Sequence, residues 1–287
     1  MGKFATPIPS LPTFVIRMSE NVFVVSHPRS GTHLMIDTLL NNFENVSHNW
    51  VDIDRLTSRY RKRVSTKKVK NMIVDDHTVI KSHMVPDVAN YFENEPEYVD
   101  FVQELASKSK MIYMLRDGRD VMVSFYYFMH YIDKNQEKVP FSDFLRNEIP
   151  YEVLQFSNGQ NLNPVEFWVS HVDSWLDQED VLLVQFEELR EDFYNTLLRV
   201  AGYVDFPLKN KVVCPIRDDK VTYNSKLVSL VVGTLKVIYR RLFTETYDTS
   251  IYFRKGRTGD YQHHFSDEDL EFFNSIALEA MERAGYY

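Results

Sequence analysis

The sequence predicts an α/β protein: a single domain with a central parallel β-sheet flanked by helices. Short apolar runs alternate with helical patterns along the chain, which favours a parallel sheet. The runs are β-branched or aromatic and nearly continuous in apolar character, as is typical of strands covered on both faces. With 287 residues, 44% of them hydrophobic, the chain can bury one large core. We expect an irregular leader at 1–20 and a single domain at 21–287.

Four apolar runs are predicted to be the core strands: Val22–Ser26, Thr78–Lys81, Met111–Leu115 and Val181–Phe186. Before the last strand, apolar residues at helical spacing predict a stripe that faces the core: Phe167, Trp168, His171, Val172 and Trp175. A C-terminal helix is expected to begin after Ser266 as N-cap and to end before Gly285. Its predicted buried side is Leu270, Phe273, Ile276, Leu278 and Met281.

The charge and cysteine content exclude several classes of protein. The net charge of −8 provides no basic field for nucleic acid, so an anionic ligand must be held by local positive groups. Cys214 is the only cysteine, which makes an internal disulfide impossible and favours a reducing compartment. No apolar run approaches the roughly 18 residues of a membrane span, and residues 1–12 lack the apolar core of a secretory signal. We therefore expect a cytoplasmic protein.

The loop "HPRSGTH" (27–33) joins the first strand to a helix. The first N–H groups of a helix have no partner within it, and together with the helix dipole and a glycine they form an anion site. Arg29 adds charge and bidentate geometry, while Ser30 and Thr32 add hydroxyl donors. The loop is not the GxxxxGK[ST] of an NTPase. An ordinary turn with a surface arginine remains the alternative.

The strand Thr78–Lys81 ends in Lys81, and His83 follows two residues later. At the carboxyl end of a strand these side chains can point into the same crevice as the first loop. A histidine of near-neutral pKa suits removal of a proton from a hydroxyl, and a nearby lysine suits stabilisation of a leaving-group charge. The pair is a candidate for general-base chemistry.

Two further basic stretches are candidate phosphate clamps. Arg116 directly follows the third strand, and Ser124 lies eight residues later, about two helical turns along. Near the C-terminus, glycines alternate with cations, which suits a loop that wraps a phosphate; the stretch contains Arg254, Lys255, Gly256, Arg257 and Gly259. The alternatives are an arginine paired with a carboxylate and a basic turn before the last helix.

In this order, the stretches resemble the cytosolic sulfotransferase family, which moves a sulfuryl group from 3′-phosphoadenosine 5′-phosphosulfate (PAPS) to a hydroxyl or amine. The resemblance covers most of the chain beyond residue 20 and is carried by "HPRSGTHL", "KSHM", "LRDGRDVMVSFYYF", "WVSHVDSWL…VLLVQFEEL" and "FRKGRTGDYQHHF". It implies a P-loop-kinase-like sulfotransferase fold, a small-molecule acceptor and the product 3′-phosphoadenosine 5′-phosphate (PAP). The family needs no metal, and the sequence contains no convincing carboxylate or histidine cluster.

The resemblance also implies roles for individual residues. The catalytic set is His83 as general base, Lys81 beside it for transition-state charge, and Arg29. The 5′-phosphosulfate side of the cofactor site is Arg29, Ser30, Gly31, Thr32, His33 and Leu34. The 3′-phosphate side is Arg116, Ser124, Arg254, Lys255 and Gly256.

The chain departs from the family at several of these positions. Arg29 replaces the usual lysine, which keeps the charge and changes its reach. His33 replaces a threonine, Leu34 a tryptophan that would stack near the adenine, and Phe186 a tyrosine. The C-terminal dimer motif is poorly matched, because Gln262 replaces a lysine and Asp267 an apolar residue; homodimerisation by that route is in doubt.

Two other functions stay open. A P-loop kinase is disfavoured because the loop lacks Lys-Ser/Thr and no aspartate is well placed at a strand end for Mg²⁺. A non-catalytic nucleotide-binding module is opposed by the presence of both Lys81 and His83. The acceptor is undetermined: 20 Phe and 17 Tyr permit an apolar or phenolic one, and the basic run Arg59–Lys70 permits an acidic one or is a solvated face.

Overall fold

The computed structural model of the protein describes residues 21–47, 50–54, 65–73, 77–92, 95–132, 139–149, 161–215 and 256–287. These ranges contain a five-stranded sheet in the order β2-β3-β1-β4-β5, in which every pair of neighbours is parallel. The strands are β1 (Asn21–Ser26), β2 (Trp50–Asp52), β3 (Val79–Ser82), β4 (Ser109–Leu115) and β5 (Val181–Gln185). The predicted α/β fold class is confirmed. The expected leader 1–20 lies outside the described residues.

Helices follow the strands along the chain. Between β1 and β4 lie α1 (Thr32–Asn42), α2 (Thr66–Met72), α3 (Val88–Tyr91) and α4 (Pro96–Ser107). Between β4 and β5 lie α5 (Gly118–Ile132), α6 (Phe141–Arg146) and α7 (Pro164–Leu176). After β5 come α8 (Phe186–Glu191), α9 (Phe193–Val204), a 3₁₀ turn (Asp260–His263) and α10 (Asp267–Arg283).

Alternating strand residues pack against helices on both faces of the sheet. Phe23 and Val25 belong to one buried cluster and Val22 and Val24 to the other, all with no exposed surface. The first cluster includes residues of α4, α5, α7 and α10, and the second residues of α1, α8 and α9. Burial on both faces explains why the strands read as continuous apolar runs.

The four predicted strands are present, with ends shifted by one or two residues. The prediction for the fifth strand ran one residue too far, because Phe186 already begins α8. Strand β2 was not predicted: it has three residues and is buried only at Val51. A strand this short gives little apolar signal.

The predicted helical stripes are largely correct. All five stripe residues of α7 are buried, and α10 begins with Ser266 as N-cap in a capping box with Asp269. Leu278 was wrongly placed on the buried side of α10: it is 45% exposed. The buried stripe runs through Phe273, Ala277 and Ala280, and Leu278 is one residue, about 100°, beyond it.

The strand order locates the candidate site. Strands β2 and β3 lie on one side of β1 in the sheet, and β4 and β5 lie on the other, so the strand order reverses at β1. Ligands of open α/β sheets bind outside the carboxyl ends of the strands where the order reverses. The loops after β3, β1 and β4 therefore meet at one edge of the sheet.

Candidate active site

The loop after β1 is a tight turn that requires its glycine. The N–H of Ser30 donates to the carbonyl of His27 (3.2 Å), and the hydroxyls of Ser26 and Thr32 are hydrogen-bonded across the loop (2.6 Å). Gly31 has φ of 99°, and a Cβ there would lie 2.7 Å from Cδ2 of Phe186. Arg29 also has positive φ (75°), a conformation that costs a non-glycine residue on the order of 1–3 kcal/mol.

Helix α1 begins at Thr32, directly after this turn, with Gly31 as N-cap. Its first turn contains no acidic residue, so no carboxylate of that turn offsets the positive end of the helix dipole. The turn and the helix start are the segment, residues 29–34, that the sequence predicted to form an anion cradle. Ser30, Thr32 and Leu34 are buried within it, and Leu34 joins the apolar cluster beneath α1.

Arg29 and Arg116 connect the loop to α5 and to the segment before the 3₁₀ turn. The Nε of Arg29 donates to the Ser124 hydroxyl (3.2 Å). The guanidinium of Arg116 donates to the carbonyls of Arg29 (3.2 Å) and Arg257 (3.1 Å), and its Cζ lies 4.6 Å from the ring centroid of Phe186. Among the described residues, the buried Nε of Arg116 has no hydrogen-bond partner.

A buried aspartate holds the segment that follows Gly256. Asp120 accepts hydrogen bonds from the N–H of Gly259 (2.7 Å) and of Tyr261 (3.0 Å), and it lies 3.9 Å from a terminal nitrogen of Arg116. Gly256 has φ of 58°, in the left-handed region that favours glycine. Arg254 and Lys255, the other cations predicted for this side, lie outside the described residues.

His83 is held in the tautomer of a base. Its Nδ1 lies 2.7 Å from the carbonyl oxygen of Ser26. Because a carbonyl only accepts, Nδ1 carries the proton and Nε2 carries the lone pair. Burial, together with the ammonium of Lys81, lowers the pKa of His83 well below its usual range. The imidazole is therefore neutral near pH 7.

The ammonium of Lys81 lies between two carboxylates. Its Nζ is 2.9 Å from Oδ2 of Asp52 and 3.2 Å from Oδ2 of Asp54. Burial by itself lowers the pKa of Lys81, but the two carboxylates outweigh burial and the pKa lies above its ordinary value. Lys81 is therefore a cation at neutral pH.

Two residues of the α7 stripe support the main chain at His83. The Tyr113 hydroxyl is 2.9 Å from Nδ1 of His171, and Nε2 of His171 is 3.1 Å from the carbonyl oxygen of His83. Since that carbonyl accepts, Nε2 of His171 is the donor and Nδ1 accepts from Tyr113. Trp175 similarly donates to the carbonyl of Met84 (3.0 Å). Burial lowers the pKa of His171 to about 4.

A second imidazole lies near Lys81 and Arg29. His33 is in the first turn of α1, and its ring packs edge-on against Trp50, with centroids 5.3 Å apart. Burial, then the charges of Lys81 and Arg29, lowers the pKa of His33 to about 3. His33 is thus a neutral group beside two cations.

Asp52 and Asp54, the carboxylates that contact Lys81, were not predicted as site residues. The signal available was the alternation in "WVDID", where buried Val51 and Ile53 alternate with the two acids. Asp52 ends β2, so an aspartate does stand at a strand end. Its carboxylate is paired with Lys81. Within the described ranges, no three His, Cys, Asp or Glu residues are placed to hold a metal ion.

The predicted residues described by the structure thus come together in two groups. Lys81 and His83 lie on the β3 side of the loop, near His33. Arg116 and Ser124 lie on the β4 side, with Gly256 next to the Arg257 that Arg116 contacts, and Arg29 joins the loop to this side through Ser124. None of the helices in the described ranges is long and apolar enough to cross a membrane.

Comparison with known proteins identifies relatives over most of the chain. Mouse (Mus musculus) sulfotransferase 2B1 is 24% identical, covering 91% of this chain and 71% of the relative. Rabbit (Oryctolagus cuniculus) amine sulfotransferase is 22% identical, covering 94% and 83%. The guinea-pig (Cavia porcellus) 3-beta-hydroxysteroid sulfotransferase is 25% identical, covering 93% and 85%.

Solved structures share the fold. Mouse sulfotransferase SULT7A1, in complex with PAP, superposes with a TM-score of 0.54 at 20% identity, covering 92% of this chain and 85% of the other. Retinol dehydratase, in complex with retinol and PAP, gives 0.50 at 16% identity, covering 93% and 82%. The sulfotransferase domain family matches residues 19–285. The chain therefore belongs to the sulfotransferase family of enzymes, which confirms the resemblance found in its motifs.

Proposed function

We propose that this protein transfers a sulfuryl group from PAPS to a hydroxyl or amine of a small-molecule acceptor by in-line displacement. The observation that carries the proposal is the pairing, beside one anion cradle, of a neutral histidine, His83, with an immobilised cation, Lys81. A kinase would need Mg²⁺ ligands at this edge, and the aspartate there is occupied by Lys81. Relatives crystallised with PAP support the choice of nucleotide.

The residues of the cradle fit such a cofactor. Gly31 lets the backbone approach an anion closely, and Ser30, Thr32, His33 and Leu34 complete the 5′-phosphosulfate side. Arg29 is the cation of this loop, and its contact with Ser124 holds it beside α5.

The 3′-phosphate is assigned to the β4 side of the site. Arg116 is buried, and its Nε lacks a hydrogen-bond partner among the described residues; an anion would supply one. Ser124 and Gly256 are assigned with it, as are Arg254 and Lys255, which rest on the family motif alone. No metal is invoked.

In the reaction, Nε2 of His83 takes the proton of the acceptor. The acceptor oxygen or nitrogen forms a bond to sulfur while the bond from sulfur to the bridging oxygen of the cofactor breaks. The bisphosphate leaves with the electron pair, and Lys81 and Arg29 stabilise the charge that develops. General-base catalysis of this kind contributes about 10²–10⁴-fold, and the neutral state of His83 supports the role.

The acceptor is proposed only as a class. Structures with the same fold contain retinol or androsterone, and one relative is named an amine sulfotransferase. These names favour alcohols and amines equally. The absence of nucleic-acid partners, the doubtful homodimer and the cytoplasmic location stay predictions; Cys214 is exposed, in keeping with a reducing compartment.

The nucleotide assignment is tested by thermal shift with PAP, ADP and ATP/Mg²⁺. A ligand at about 100 times its Kd stabilises by about 2.7 kcal/mol, which raises Tm by roughly 5–10 °C for a domain of this size. We expect the largest shift with PAP. A shift with ATP/Mg²⁺ and none with PAP would contradict the proposal and favour a kinase.

A further inference from the structure

The short strand β2 brings two carboxylates to the residues that carry the reaction. We propose that Asp54, together with Asp52, is a positioning residue for sulfuryl transfer: it fixes Lys81 and His83 relative to each other and directs one N–H of Lys81 to the sulfuryl group. The inference rests on the function proposed above. It assigns a role to residues that neither the sequence motifs nor the family resemblance identified.

Asp54 contacts every residue of the segment 81–83. Its Oδ1 accepts from the hydroxyl of Ser82 (2.6 Å) and from that of Tyr91 (3.0 Å). Its Oδ2 accepts from the backbone N–H of His83 (3.0 Å) and from Nζ of Lys81 (3.2 Å). The side chain is only 5% exposed. One rigid, buried carboxylate thus sets the position of both reactive residues.

Asp52 holds this arrangement from the neighbouring position. Its Oδ2 is 2.9 Å from Nζ of Lys81, and its Oδ1 accepts from the N–H of Asp54 (3.0 Å). It lies opposite Lys81 in the β2–β3 register, and Ile53 donates to the carbonyl of Lys81 (3.2 Å). Asp52 is 25% exposed, so it contributes less to the buried part of the network.

The two carboxylates also determine how many N–H donors of Lys81 remain for a ligand and in which direction they point. An ammonium has three N–H donors, and Asp52 and Asp54 accept two of them. The third is therefore constrained in direction. The charged and titratable groups that face Lys81 are Asp52 at the end of β2, Asp54 two residues after it, His33 from α1, and His83 directly after β3. Because two carboxylates already accept from its ammonium, Lys81 acts as an oriented hydrogen-bond donor with one N–H left for the sulfuryl group.

The test is Asp54→Asn, which keeps the shape of the side chain and removes its charge. We expect kcat to fall about 10- to 100-fold, because a misplacement of about 1 Å can cost about 10²-fold. The KM for PAPS should change less than about threefold. The alkaline limb of the pH–rate profile should move to lower pH, since Lys81 keeps only one carboxylate to oppose the effect of burial on its pKa.

Asp269→Asn is the matched control. Asp269 is also buried and accepts from a hydroxyl (Ser142, 2.7 Å), a cation (Arg146, 2.6 Å) and a backbone N–H (Ser266, 3.3 Å). It belongs to α10 and contacts neither Lys81 nor His83. The Asp269→Asn variant should have a lower Tm and unchanged kcat and pH profile. An equal loss of kcat in both variants would mean that Asp54 is merely structural.

A double-mutant cycle separates the two residues through which Asp54 acts. In a Lys81→Met background, Asp54→Asn should cost less than in the wild type, because the carboxylate no longer positions an ammonium. The loss of kcat that remains in this background measures the contribution of Asp54 through His83. Additive losses would overturn the proposed action through Lys81.

Failure of this proposal and failure of the proposed function give different results. If His83→Ala abolishes turnover while Asp54→Asn retains wild-type kcat and pH profile, the positioning role is overturned and the function stands. If His83→Ala and Lys81→Met both retain wild-type turnover, the proposed mechanism itself is wrong. Should Asp54→Asn not fold, Asp52→Asn replaces it: an unmoved alkaline limb in that variant overturns the proposal.

Discussion

Two buried cations, Lys81 and Arg116, lie on either side of the loop after β1, and they differ in the groups that accept their hydrogen bonds. Lys81 contacts two carboxylates, at 2.9 and 3.2 Å. Arg116 donates to two backbone carbonyls, and its ion pair with Asp120 is 3.9 Å long. Carbonyls fix a guanidinium without cancelling its charge. Under the proposed function, this difference implies two separate roles: the Lys81 side holds reactive groups in position, and the Arg116 side keeps positive charge for an anion.

The division has an energetic basis. A buried charge whose counter-ion is as distant as 3.9 Å is costly. In the proposed function a bound phosphate relieves part of that cost, so Arg116 is suited to provide affinity. Lys81 already has its counter-ions and gains less net charge interaction from a bound anion. Its contribution is expected in the transition state, where orientation matters most. The predictions below test this comparison, from the largest expected effect to the smallest.

Removal of the base should separate reaction from binding most clearly. His83→Ala is expected to lower kcat by about 10²–10⁴-fold, because the acceptor proton loses its receiver. The thermal shift produced by PAP should stay within about 1 °C of wild type. Turnover with PAPS and an accepted alcohol, phenol or amine, measured beside the shift, checks both. A variant that loses PAP binding as well would place His83 on the binding side.

Acid should destabilise the folded protein through the buried imidazole of His171. The pKa of His171 is lowered to about 4 in the folded protein, against about 6.5 in the unfolded chain. At pH 7 His171 is neutral in both the folded and the unfolded protein, so it does not change the free energy of unfolding. As the pH falls from about 6.5 to 4, the unfolded state alone takes up the proton, and stability drops by up to about 1.4 kcal/mol per pH unit. Urea unfolding across this range, with His171→Gln for comparison, should show a shallower decline in the variant.

The loop that follows Gly256 should depend on Asp120. Asp120→Asn removes the charge that organises two backbone N–H groups, each such charge-assisted bond contributing about 1.5–3 kcal/mol. We expect PAP to bind about tenfold more weakly and kcat at saturating PAPS to change little. Calorimetric titration with PAP tests this, with Asp269→Asn as the control. A fall in kcat with unchanged PAP affinity would contradict the division between the two sides.

The smallest effect is expected at His33. Because its pKa is lowered to about 3, it is uncharged at neutral pH. His33→Thr, which restores the residue usual in the family, should change PAP affinity less than about tenfold. A much larger loss in a PAP titration would mean that the imidazole becomes charged when the nucleotide binds.

Local patterns accounted for most of the fold and for the candidate residues. The strand–loop–helix of residues 22–40 and the buried stripe of α7 follow from apolar spacing within one segment. Contacts between distant segments could not be read in this way. The hydrogen bond from Arg29 to Ser124 joins residues 95 positions apart, and Asp54 reaches Lys81 only through the pairing of β2 with β3. Both depend on strand order, which no single stretch of sequence contains.

The central claim is that Arg116 keeps its charge for a 3′-phosphate. The most direct measurement is the affinity of PAP and of 5′-AMP, which lacks that phosphate, for the wild type and for Arg116→Gln. In the wild type, PAP should bind at least about 30-fold more tightly, since a buried charge pair of this kind involves 2 kcal/mol or more. In Arg116→Gln the preference should fall to a few-fold, while Asp54→Asn keeps it. A preference that survives Arg116→Gln unchanged would contradict the account.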